Sequence, residues 1–269
     1  MIEIPFDPNV HFGPITLAWH GIFTAVGIFF GVWLPLRLLR GKINEDDGWA
    51  VATWGVVGGI VGARLVHVID QLPYYLAHPE QVFFIWTGGI AIWGAAIGGV
   101  LGGFLAAVRR GVPIGYGADA AAPGLALGFA IGRIGDIING EHHGSATNLP
   151  WGVEYVNQNT LGEPGKVVHP EVAYEMVLCL LVLGALLPFH QRLKARLPSG
   201  VLGLIYLGVY AAGRFFLSYL RTDPAVFLSL RQAQLASALM VVIAIIAIPV
   251  LFRLARAGAA QAPATPSRV

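Results

Sequence analysis

Seven stretches of about twenty mostly apolar residues recur along the chain, and no other feature restricts its fold as much. The hydrocarbon core of a bilayer is roughly 30 Å thick, a distance that an α-helix crosses in about 20 residues. Inside that core every backbone N–H and C=O must be paired within the protein, so stretches of this kind fold as helices. They lie at roughly 15–38, 49–69, 86–108, 117–138, 172–189, 200–220 and 235–254. Composition agrees: only 12% of the 269 residues are charged, against roughly 25% in an ordinary soluble domain. The expected fold class is an all-α integral membrane protein, a bundle of about seven transmembrane helices. One transmembrane domain should cover 1–256, with the outer loop 139–171 as part of any site. Residues 257–269 (AGAAQAPATPSRV) read as a disordered cytoplasmic tail, being small, polar and proline-bearing.

Lysine and arginine in short loops set the orientation. Arg37, Arg40 and Lys42 follow span 1, Arg109 and Arg110 follow span 3, Arg192, Lys194 and Arg196 follow span 5, and Arg253, Arg256 and Arg268 follow span 7. All these loops share one side, which places the N-terminus outside and the C-terminus in the cytoplasm. The first fourteen residues carry Glu3 and Asp7 but no Lys or Arg, so no cleavable signal peptide is expected.

Charge also excludes partners. A net charge of +2 without a long basic run argues against nucleic acid. The single cysteine, Cys179, sits in the apolar run VLCLLVLG and reads as a small buried hydrophobe. Glycines recur at small-xxx-small spacing in spans 2, 3 and 4, the pattern of closely packed membrane helices. A retinal-type receptor needs a lysine within a helix, yet Lys42, Lys166 and Lys194 all fall in loops. A transporter built from inverted halves would show an internal repeat, and none is visible.

The informative basic residues are Arg64, Arg133, Arg214 and Arg221, which lie in or at the ends of apolar spans on the outward side. An intramembrane arginine is costly unless paired or wetted, so its default reading is functional. Four at one level suggest an anion pocket at headgroup depth, because the planar guanidinium matches phosphate bidentately. The bland alternative is internal pairing with Asp70, Asp136, Glu141 or Glu175. The densest motif is GRIGDIINGEHHG at 132–144, which holds Arg133, Asp136, Asn139, Glu141 and Gly144. Its adjacent histidines lack further His or Cys at ligand spacing, so no metal is expected. Across the loop, HPEVAYE opens span 5 with His169, Tyr174 and Glu175, which can face the same pocket or satisfy one another.

These motifs carry a family resemblance. GRIGDIINGEHHG, then LPWGV and HPEVAYE, resemble the signature region of prolipoprotein diacylglyceryl transferases. AWHGIFTAVG, GARLVHVI, VFFIWTGGIAIWGAAIGG and AAGRFFLSYLRTD resemble that family's other motifs in order and spacing, so the likeness covers most of the chain. It implies seven spans with the N-terminus outside, in a bacterial plasma membrane, with the site toward the outer leaflet. It implies transfer of the diacylglyceryl group of phosphatidylglycerol to the lipobox cysteine thiol in the signal peptide of a preprolipoprotein, with release of glycerol 1-phosphate. Phosphatidylglycerol, preprolipoproteins and membrane lipids are then the partners, with no cofactor. On this resemblance Arg133 and Arg214 stabilise negative charge, supported by Arg221 and Arg64, while Asp136, Asn139, Gly144, His169, Tyr174 and Glu175 contact substrate. The thiol proton needs an acceptor, either His20 in span 1 or Glu141 in the best-matched motif.

The chain departs from the family pattern at four positions. His20 stands where a tyrosine is common, Trp93 where many members have histidine, Asp136 for the asparagine of GRxGN, and Ser218 for an acid four residues after Arg214. The last two read together as one compensated change, an acid lost at 218 and gained at 136. If the departures disable turnover, the chain is a catalytically silent lipid-binding or assembly subunit with the same fold.

Overall fold

A computed structural model describes residues 1–13, 15–85 and 88–261. Seven of its helical segments are long and apolar enough to cross a membrane: Trp19–Leu39, Glu45–Asp70, Ile92–Arg110, Ile114–Asn139, Glu171–Arg196, Val201–Leu220 and Gln232–Gly258. In order, these correspond to α1 (Trp19–Leu39), α2 (Glu45–Asp70), α4 (Ile92–Arg110), α5 (Ile114–Asn139), α6 (Glu171–Leu186) with α7 (His190–Arg196), α8 (Val201–Leu217) and most of α9 (Gln232–Gln261). A short helix, α3 (Leu72–Ala77), follows α2. Apolar side chains such as Phe29, Ile97, Leu181 and Ile245 project outward, which suits a hydrocarbon solvent that only helices can span with every backbone group paired.

Three boundaries differ from the sequence expectation. Residues 15–18 do not begin span 1; they form β3 (Ile15–Ala18), antiparallel to β2 (Asn9–Phe12). Span 3 starts at Ile92 rather than 86, because Gly88 and Gly89 take positive φ angles of 89° and 77° that no helix accommodates. Helix α9 continues to Gln261, into the stretch expected as a tail; residues 262–269 lie outside the described residues. The 139–171 loop also holds sheet structure that an all-α expectation lacks. Strand β1 (Ile2–Ile4) pairs in parallel with β4 (Val153–Tyr155), which pairs antiparallel with β5 (Val167–Val168). Ile4, Val153, Tyr155 and Val168 form a small buried cluster there. A further hairpin, β6 (Ala225–Phe227) and β7 (Leu230–Arg231), precedes α9.

By its internal contacts the chain groups into two compact units, one of Met1–Pro35 with the residues from Ala118 onward and one of Leu36–Gly117. In the second unit α2 packs on α4 backbone to backbone: a Cβ on Gly62 would overlap the Gly94 carbonyl, so only glycine permits this approach. Helix α2 starts on an Asn44 cap whose side chain accepts from the Asp46 N–H, with Glu45, Asp46 and Asp47 at its positive end. Helix α4 stops at Gly111 in the left-handed conformation.

In the first unit, Asp119 is an acid inside an apolar span. Its carboxylate is buried and accepts the Gly200 and Gly203 amides at 2.9 and 2.8 Å, capping the start of α8. Those amides would otherwise be unpaired at a helix N-terminus. Near the other end of α5, a Cβ on Gly135 would sit 2.7 Å from the Cα of His20. Glycine at 135 therefore lets the start of α1 lie against α5, and this contact positions His20.

Candidate active site

Arginine organises the first unit's polar centre, and each arginine there is paired. Arg133, on α5, donates through Nη1 to Asp136 Oδ2 at 2.5 Å, one helical turn along. Its Nη2 lies 2.8 Å from Glu175 Oε2, close enough for an ion pair although not aligned as a hydrogen bond. Arg214, near the end of α8, donates through Nη1 to Glu171, and its Nε lies 3.2 Å from Glu175 Oε1. Arg221 donates through Nε and Nη2 to Asp223 at 2.5 and 3.2 Å, and its Nη1 reaches Glu171 Oε2 at 3.4 Å. Tyr210 donates to Glu175 Oε1 at 2.5 Å. Glu171 and Glu175 are fully buried, four residues apart on the first turns of α6 and so on one face. A buried charge is tolerable only when paired and hydrogen-bonded, and this network meets that condition.

Of the four arginines singled out in the sequence, Arg133, Arg214 and Arg221 are each ion-paired to carboxylates. Arg133, Arg214 and Arg221 are held in fixed planes by Asp136, Glu171, Glu175 and Asp223. Among these arginines, Arg133 Nε is a buried donor without a hydrogen-bond partner among the described residues.

Arg64 does something else. It is buried in the second unit, and all five of its N–H donors go to backbone carbonyls: Nε to Val82 at 2.9 Å, Nη1 to Gly88 and Gly89 at 2.8 Å, and Nη2 to Gln81 at 2.5 Å and Phe84 at 3.3 Å. Its guanidinium has no donor left for phosphate. Arg64, expected among the phosphate-binding residues, clasps the backbone at 81, 82, 84, 88 and 89.

His20 opens α1 and its Nδ1 lies 2.5 Å from Asp136 Oδ1, so Asp136 bridges His20 and Arg133. Glu141 Oε2 is 4.0 Å from the same ring nitrogen. Ligand-type atoms of these three residues lie within 4.8 Å of one another, a spacing that also suits a cation, although no metal was expected. The compensation expected between Asp136 and Ser218 takes another form. Ser218 is buried and donates to the Arg214 carbonyl at 2.7 Å. Glu171 and Glu175 supply the carboxylates beside Arg214, and Asp136 serves His20 and Arg133 instead.

The remaining expected residues divide. Asn139 is buried beside Glu141, its Nδ2 3.4 Å from Glu141 Oε1, and its own Oδ1 has no partner among the described residues. Gly144 is a packing residue: its N–H donates to the His169 carbonyl at 2.9 Å, and a Cβ would sit 2.7 Å from the His169 Cβ. With the Ser145 amide on the Leu220 carbonyl at 2.7 Å, it ties the 139–171 loop to the start of α6 and the end of α8. His169 and Tyr174 bond each other at 3.3 Å, and Trp151 Nε1 donates to the Tyr174 hydroxyl at 2.8 Å, so they satisfy one another. Trp93 lies in the first turn of α4.

Electrostatics outside the spans follows the same centre. Burial, and then the Arg221 guanidinium, hold the His142 imidazole below its ordinary value. The hydrogen bonds from Arg221 hold Asp223 below the usual carboxylate range. Burial pushes the Tyr155 phenol up to about 12.

Sequence reasoning missed Glu171, Tyr210 and Asp223. Two of them had a signal: Glu171 lies four residues before Glu175 and Tyr210 four before Arg214, the spacing of one helical face.

Fold and site together define a multi-pass membrane protein with a buried guanidinium–carboxylate centre. The sequence model of prolipoprotein diacylglyceryl transferases matches residues 9–250. The phosphatidylglycerol–prolipoprotein diacylglyceryl transferase of Trichormus variabilis is 38% identical over 234 residues, covering 85% of this chain and 83% of the relative. That of Synechococcus elongatus is 36% identical over 261 residues, covering 94% and 89%. Transferase 1 of Streptomyces coelicolor is 37% identical over 233 residues, covering 83% and 67%. The chain belongs to the prolipoprotein diacylglyceryl transferase family.

Proposed function

We propose that this chain moves the diacylglyceryl group of phosphatidylglycerol onto the thiol of a lipobox cysteine in a preprolipoprotein signal peptide, releasing glycerol 1-phosphate. Family membership and the names of the relatives support the transferase activity and its donor lipid. The supporting geometry is the convergence of Arg133 and Arg214, from different helices, on the single carboxylate of Glu175.

The reaction breaks a carbon–oxygen bond and leaves the electron pair on a phosphate oxygen. Guanidiniums already fixed by carboxylates stabilise that developing charge without reorganising as it forms. Arg133 Nε is a buried donor without a hydrogen-bond partner among the described residues. The attacking thiol comes from the substrate. Cys179, fully buried, is not a nucleophile here. His20 and Glu141 flank the centre as the two candidate acceptors for the thiol proton.

Basic residues close α1, α4, α7 and α9, which supports a cytoplasmic side for those ends. The N-terminus, the 139–171 loop and the arginine centre then face the outer leaflet of a bacterial cytoplasmic membrane, and the C-terminus is cytoplasmic.

The test uses purified full-length protein, phosphatidylglycerol vesicles and a synthetic lipobox peptide. Mass spectrometry should show the peptide heavier by one diacylglyceryl group, with equimolar glycerol 1-phosphate in solution. Phosphatidylglycerol binding without any peptide modification would instead establish a silent lipid-binding subunit.

A further inference from the structure

His20 and Asp136 are joined across 116 residues of sequence by a hydrogen bond of 2.5 Å between Nδ1 and Oδ1. Asp136 is buried, its other oxygen is fixed by Arg133 Nη1, and Gly135 beside it admits the His20 backbone. The carboxylate is thus immobile, and the imidazole is oriented by it. The His20 side chain stays 39% exposed, so a substrate thiol can reach it. A carboxylate accepting at Nδ1 fixes the proton on that nitrogen and leaves the Nε2 lone pair as the basic atom. A buried aspartate serves a catalytic histidine in this way by holding its tautomer and stabilising the imidazolium. The charged groups facing His20 are Asp136 and Arg133 on α5 and Glu141 beyond it, with His142 Nδ1 3.9 Å from Glu141.

Resting on the transferase reading above, we propose that His20 Nε2 accepts the proton of the incoming cysteine thiol and that Asp136 is its positioning residue. The balance is complete. The S–H proton moves to Nε2, and sulfur forms a bond to the glyceryl carbon that carries the phosphate. The C–O bond to that phosphate breaks with its electron pair on oxygen. The imidazolium then returns its proton to the phosphate product or to water. Glu141, 4.0 Å from Nδ1, lies near the imidazolium as a second anion and is not the acceptor.

The rate of peptide thioether formation is to be measured from pH 5.5 to 9 for wild type, His20→Ala, His20→Gln, Asp136→Asn and His20→Ala/Asp136→Asn. His20→Ala should lower kcat on the order of 100-fold or more, with the KM for phosphatidylglycerol little changed. Its rate should climb about tenfold per pH unit toward the thiol pKa of about 8.5, where wild type levels off earlier. Free imidazole should restore part of the rate in His20→Ala. His20→Gln, which keeps hydrogen-bonding capacity toward Asp136, should show the same loss, so a folding defect confined to His20→Ala is distinguishable. Asp136→Asn should lower kcat, and in the His20→Ala background it should cost little more, because the pair acts as one unit. Wild-type transfer with unchanged rate and pH profile in His20→Gln would overturn the proposal and leave the transferase reading intact. Additive losses at the two positions would overturn the role of Asp136. Absence of transfer by the wild type at every pH would instead defeat the transferase reading itself.

Discussion

Arg133 on α5 and Arg214 on α8 meet on one carboxylate, that of Glu175, at 2.8 and 3.2 Å. Removing one partner of a buried ion pair strands the other charge, at a cost of roughly 3–5 kcal/mol. Glu175→Gln keeps the shape and removes the charge that both guanidiniums share. It should lower the melting temperature in detergent by several degrees and reduce transfer. In a double-mutant cycle with Arg133→Lys, the two losses should couple by about 0.5–3 kcal/mol. Strict additivity would show that Glu175 does not link the two arginines.

Arg64 gives the opposite expectation from its neighbours in the sequence argument. Its donors end on the carbonyls of residues 81, 82, 84, 88 and 89, so Arg64→Ala leaves part-buried acceptors without their donor, at up to roughly 1–3 kcal/mol for each group that water does not reach. Limited proteolysis should find new cleavage in the 78–91 segment, together with a lower melting temperature. Normal stability with weakened phosphatidylglycerol binding would return Arg64 to a headgroup role.

Asp119 is expected to act on stability alone. Asp119→Ala strands the Gly200 and Gly203 amides at the start of α8 and should cost roughly 1–3 kcal/mol. Protein remaining folded should transfer lipid at an unchanged rate per molecule. A loss of activity without a loss of stability would contradict a capping role.

His142 links stability to pH. Its imidazole is held below its ordinary value by burial and by Arg221, so the unfolded chain binds the proton more readily than the folded one. Stability therefore rises with pH up to the unfolded pKa of about 6.5 and falls as pH drops below it. Asp223 adds a second loss at lower pH. Its depressed folded value stabilises above the unfolded pKa near 4, and that contribution disappears as pH falls further. Melting temperatures between pH 7.5 and 5 should fall less steeply for His142→Gln than for wild type. Equal slopes would remove His142 as the titrating group.

Much of the helical frame was legible in the sequence, because a bilayer's demands are local: length, apolarity and paired backbone. Span ends were less so. Residues 15–18 are apolar enough to extend span 1, yet their pairing with 9–12 depends on the hairpin, not on composition. The start of α4 depends on Arg64 drawing the carbonyls at 88 and 89 to itself, a contact made from another helix. The arginines announced themselves through their cost in an apolar span, but their partners did not. Which carboxylate meets which guanidinium is decided by packing between helices. The His20–Asp136 bond was invisible for that reason, Asp136 having been read with Ser218 and His20 by itself.

The most direct measurement replaces Arg133 and Arg214 singly by lysine and by alanine and follows diacylglyceryl transfer from phosphatidylglycerol to a lipobox peptide. Lysine keeps a charge in place but not the planar fork that engages two acceptors. Both lysine variants should remain folded in the membrane and lose transfer by on the order of 100-fold or more, and alanine should abolish it. Wild-type transfer by folded Arg133→Lys and Arg214→Lys proteins would contradict the account, because the arginine forks would then play no part in stabilising the departing phosphate.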